Sequence, residues 1–136
     1  MAYATAVAAA AQSAAAHAVW LPHLRRGQLL TFVQRPRFTL SEMAGLVGQA
    51  RAHCEQRGRA EDRLLLLLLA ETEGRAYIRY GNLQRAAAVL ADLPAQADRV
   101  PQSGPLHQAI IRKTVAGLHW KRGDKAAWAE WIGQAL

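Results

Sequence analysis

The side chains able to do chemistry in this chain of 136 residues are few and scattered. The five histidines are His17, His23, His53, His107 and His119, and no two stand four apart as an HExxH metal motif requires. His53 and Cys54 are neighbours, so on a helix they project about 100° apart and do not share a metal. Cys54 follows Val47 and Ala50 at helical spacing, which predicts a buried thiol on an apolar stripe rather than a nucleophile. As the single cysteine, it also excludes a disulfide framework. Glu71 and Glu73, two apart, splay to different faces and do not form a carboxylate pair. No P-loop, dinucleotide fingerprint or nucleophile elbow is present. The expectation is a protein that is not an enzyme, with no catalytic residue, no metal site and no cofactor.

Charge is the remaining chemistry. Seventeen basic residues face ten acidic ones, a formal net charge of +7, and the basic residues are fourteen Arg and three Lys. Such a balance suits an anionic partner, whether RNA, DNA or a membrane surface. The simpler reading is that arginine stands for lysine as solvated charge. Two patches are candidate interaction sites. The first is Arg25, Arg26, Arg35 and Arg37, in a stretch with no acidic residue before Glu42. The second is Arg112, Lys113, Lys121 and Arg122, with Lys125, interleaved with Trp120. Trp and Arg together stack on unpaired bases and clasp phosphates; they are also enriched at protein interfaces. The plainer alternative makes Trp120, Trp128 and Trp131 core anchors flanked by solvated charge.

The elements that must position these residues are helical. Residues 3–20 carry an Ala-rich helix pattern, and eleven of the first eighteen residues are Ala. Ala favours helix but buries little area, so this segment needs a close neighbour. It lacks a basic start and Leu-rich centre, against a secretory signal, and its polar Gln12, Ser13 and His17 oppose a transmembrane span. Being free of acid and containing Arg, residues 1–37 resemble an organellar transit segment in composition. A short helix over 24–34 and an extended Arg35-Pro36-Arg37 connector follow.

Thr39 and Glu42 have the spacing of a capping box, with Phe38 and Met43 as hydrophobic staple, predicting a helix over 40–57. Met43, Leu46, Val47, Ala50 and Cys54 share its apolar side, and Gly58 closes it. The next helix, 60–80, centres on six consecutive leucines, Leu64 to Leu69. Apolar all round, it is expected to be the central core helix. Gly81 ends it, Asn82 caps a helix over 83–93, and Pro94 stops that one. Residues 94–105 are expected to be the main loop, and Pro105 starts a helix over 106–121 with Leu106, Ile110, Ile111, Val115 and Leu118 on its apolar face. Gly123 breaks this helix and Asp124 caps the last, whose stripe is Trp128, Trp131, Ile132 and Ala135. No strand pattern is present, so the fold class is all-α.

The glycine turns recur. Tyr80-Gly81-Asn82 and Arg122-Gly123-Asp124 each join an aromatic, basic helix end to a short amphipathic helix, and the two glycines lie 42 residues apart. Cys54 to Gly58 is a weaker third copy. In this the chain resembles a tetratricopeptide-type helical repeat. Gly74 and Tyr77 match that family's first-helix pair, Gly81 its turn, and Ala86 with Leu90 its second-helix pair. Ala70 and Glu73 stand where the family has large apolar residues, and Pro94 comes about four residues before the family's closing proline. In the second copy Trp128 occupies the small-residue position, while Ala135 and Leu136 fit the end. The resemblance spans about residues 40–136. It implies antiparallel helix pairs stacked as a short solenoid over 38–136, behind an Ala-rich helical extension over 1–37.

The function expected from all this is that of a non-enzymatic scaffold or accessory subunit of a multi-protein assembly. The acid-free first third tilts the setting toward an organellar complex, respiratory, ATP-synthase or ribosomal, and hence an intracellular and mitochondrial address. The alternatives are an RNA-contacting helical protein and a free bacterial cytoplasmic adaptor that binds peptides. The partners expected are protein subunits first and RNA second, with no stable transmembrane span.

Overall fold

The computed structural model describes residues 39–57 and 62–136, together with Thr5, Gly27 and Gln28. The expected helices over 3–20 and 24–34, Phe38 of the staple, the Gly58 closure and the four arginines of the first patch lie outside the described residues. Among the described residues six helices follow one another with no strand, so this part of the chain is all-α. They are α1 (Leu40–Arg57), α2 (Asp62–Tyr80), α3 (Leu83–Leu90), α4 (Leu93–Arg99), α5 (Pro105–Lys121) and α6 (Lys125–Ala135). The chain divides into two compact units, Met1–Leu69 and Ala70–Leu136.

In the first unit, the Thr39 hydroxyl oxygen accepts from the Glu42 N–H at 3.1 Å and starts α1. Met43, Val47, Ala50 and Cys54 are all buried. They recur at i, i+4, i+7 and i+11, the period that places them on one stripe. Cys54 is a free, buried thiol. The leucine run behaves as a helix without a polar face should: Leu65, Leu67, Leu68 and Leu69 are buried, with Leu64 and Leu66 half-buried. Burial continues along α2 through Glu71 and Thr72.

In the second unit two hairpins carry the architecture. Gly81 and Gly123 hold φ of +88° and +79°, a left-handed conformation that costs glycine little. Each glycine is followed by a capping residue. Asn82 Oδ1 accepts from the Arg85 N–H at 3.3 Å to start α3, and Asp124 Oδ1 accepts from the Ala127 N–H at 3.0 Å to start α6. In the first hairpin, Gly74 lets α3 come close: a Cβ added there would lie 2.6 Å from Leu90 Cδ2. In the second, the Trp120 and Trp128 rings meet with centroids 5.1 Å apart and planes tilted by 57°.

Two expectations need correction. The helix over 83–93 ends at Leu90, and the expected loop contains α4. Pro94 lies in the first turn of α4, where its missing N–H has no helical partner to lose, so it starts a helix instead of stopping one. Leu106 is 70% exposed and leaves the apolar face of α5, which Ile111, Val115, Ala116 and Leu118 form.

Candidate functional site

The 70–136 unit carries a cleft whose walls come from three helices. From α2 come Glu71, Arg75 and Ile78, at i, i+4 and i+7. From α5 come Ile110, Lys113, Thr114, Gly117, Trp120 and Lys121, and from α6 Trp128 and Ile132. The cleft has two compartments, of about 430 Å³ and 330 Å³, that share Ile78, Lys113 and Gly117. Its surface is mainly apolar, and each compartment is of ligand-pocket size.

The inner compartment is organised by a carboxylate that the sequence did not flag. Glu71 is fully buried. Its two oxygens accept from one guanidinium nitrogen of Arg75 at 2.5 and 2.7 Å. The Thr114 hydroxyl lies 2.9 Å from Glu71 Oε1 and 3.1 Å from the Ile110 carbonyl oxygen, and its single proton serves one or the other. The Thr72 hydroxyl lies 3.4 Å from Oε2. A buried carboxylate persists only when paired and hydrogen-bonded. Here those partners tie one turn of α2 to the middle of α5, and they leave Glu71 committed.

The outer compartment is aromatic and cationic. Trp120 is 52% exposed, so it is not the core anchor of the plainer reading; Trp128 and Trp131 are half-buried. Lys113 and Lys121 are exposed and line the cleft. Arg122 is the C-cap residue of α5, exposed at its end. Arg112 is placed differently: one guanidinium nitrogen lies 3.0 and 3.1 Å from the Asp98 carboxylate oxygens, its side chain is 19% exposed, and it does not line the cleft. The second patch therefore separates into two lysines at the cleft, an arginine at a helix end and an arginine that braces α4 against α5.

Gly117 sits at the junction of the compartments. A Cβ built there would meet nothing within 4 Å, and its φ is not positive. Among the described residues, neither a turn nor a close approach requires glycine at this place.

Among the described residues no three His, Cys, Asp or Glu side chains converge as a metal site, and no helix is long and apolar enough to cross a membrane. No protein-family model matches the chain, and neither a curated protein nor a solved structure matches it.

Proposed function

We propose that the protein is a non-enzymatic helical scaffold, an accessory subunit that docks a segment of a partner protein in the cleft of its 70–136 unit. The observation that carries this reading is Gly117. A mid-helix glycine is disfavoured by roughly 0.5–1 kcal/mol against alanine, and among the described residues nothing lies within 4 Å of a Cβ built there; the helical Gly45, Gly48 and Gly133 are as open, but Gly117 is the one that lines the cleft. A partner's side chain would use that space. The half-buried stripe of Trp128, Trp131 and Ile132 adds an apolar face that a docking segment would cover. Two hairpins with matching Gly-Asn and Gly-Asp turns support a tetratricopeptide-like stacking of helix pairs, an architecture that presents a concave surface to other proteins. An organellar, mitochondrial setting rests on the acid-free first third alone.

A second reading has one observation in its favour: an exposed Trp120 beside Lys121 and Arg122, a grouping that can stack a base and hold a phosphate. The apolar floor of the cleft favours protein over RNA. A photo-reactive amino acid at position 113, against a control at the exposed Gln96 of α4, separates the readings in cells of the native host. The expected result is a cross-linked protein at position 113 and none at position 96. Cross-linking to RNA at 113, or equally to proteins at both positions, would refute the proposal.

A further inference from the structure

We infer that the segment this cleft takes is an acidic amphipathic helix, with a large apolar side chain seated over Gly117 and carboxylates reaching Lys113 and Lys121. The inference rests on the docking reading above and adds the chemistry of the partner.

The shape argues for a helix. The cleft follows α5 from Ile110 to Lys121, a run of about 16 Å at 1.5 Å per residue. Its walls are helices, and the described residues offer no strand to which an extended peptide could add. The remaining recognition mode for a groove with an apolar floor is an amphipathic helix laid along it.

The charges argue for acid. Lys113 and Lys121 each stand four residues from Gly117, one on either side, and neither has an acidic partner among the described residues. Glu71 is the single acidic residue of the lining, and Arg75 already neutralises it. The field over the cleft is therefore that of two lysines about 12 Å apart along α5. A partner helix matches that spacing with two acidic residues seven or eight apart, one on either side of an apolar residue. Trp120 and Trp128 extend the apolar contact at the outer end.

The test is selection of displayed helical segments of about 18 residues, long enough to hold a helix alone, against the full-length chain. Randomised positions let the chain choose between acidic, neutral and basic flanks. The expected winners carry Asp or Glu seven or eight apart around a Leu, Phe or Met. They should bind Lys113→Glu/Lys121→Glu about tenfold or more weakly, and the exposed Arg99→Glu control as well as they bind the original. Repeating the selection on the double variant should yield basic flanks. Both lysines are solvent-exposed, so a melting curve matching the parent's shows that the variant folds.

Winners with neutral or basic flanks that still lose binding to Gly117→Leu would overturn the acidic partner and leave the docking cleft standing. An empty selection, or winners that bind Gly117→Leu undiminished, would overturn both. So would single-stranded poly-uridine binding that vanishes in the double lysine variant while no peptide is selected.

Discussion

Glu71 is the residue on which the inner wall of the cleft depends. Its carboxylate is buried, and of its partners only Arg75 brings a positive charge. Removing that charge strands an anion away from water, and Arg75 is itself partly exposed, which softens the loss. Arg75→Met should therefore cost about 1–3 kcal/mol in chemical denaturation. Replacing both partners by apolar groups of similar volume removes the stranded charge too. Glu71→Met/Arg75→Met should accordingly be more stable than Arg75→Met alone, and a double variant as unstable as the sum of the singles would show that the pair does not act as a unit. Arg112 provides the opposite case. Its pairing with Asp98 is a partly exposed bridge, so Arg112→Ala should lower stability by no more than about 1 kcal/mol. Peptide binding in the cleft should be unchanged, as titration would show. Part of this was open to sequence reading: Glu71 and Arg75 have the i, i+4 spacing of a helical ion pair. What burial adds was not, because Thr114, 43 residues away, completes the site. Nor does spacing tell a cation that lines a cleft from one spent on a bridge, as Lys113 and Arg112 are neighbours with different fates.

The helices themselves follow local rules closely where a cap or a glycine decides. The starts of α1, α3 and α6 rest on capping side chains three residues from the N–H they satisfy, and the breaks at Gly81 and Gly123 on glycine's left-handed backbone. Proline is where local reading divides, since the same residue ends one helix or begins another. At Pro94 the outcome turned on Leu93 and Ala97, both buried one turn apart, which give residues 93–99 an apolar face of their own. Leu106 shows the reverse limit: its spacing fits the α5 stripe, but a stripe is covered only where a neighbouring helix reaches. The packing of α2 on α3 makes a sharp prediction. A methyl group at position 74 would overlap Leu90, so Gly74→Ala should destabilise by about 1–3 kcal/mol despite its better helix propensity. In a Leu90→Ala background the same change should cost less or stabilise. Equal costs in both backgrounds, read from thermal melts, would refute the contact.

At the scale of the molecule, the chain joins two compact units, and the unit of residues 70–136 holds every residue that lines the cleft. Its chemistry is uneven: the acid is buried and neutralised, while the lysines and Trp120 face outward. That separation was legible in the sequence only as a basic patch interleaved with an aromatic residue. The cleft needed three helices from well-separated stretches to assemble, and the open space above Gly117 appears in no spacing rule. In the docking reading that space belongs to a partner. The measurement that tests it most directly pairs stability with binding for Gly117→Ala and Gly117→Leu. With no contact to displace among the described residues, Gly117→Ala should raise stability by about 0.5–1 kcal/mol, a melting increase of a few degrees. Gly117→Leu should keep the fold and abolish binding of the partner cross-linked through position 113. A stable Gly117→Leu protein that binds that partner with undiminished affinity would contradict the account.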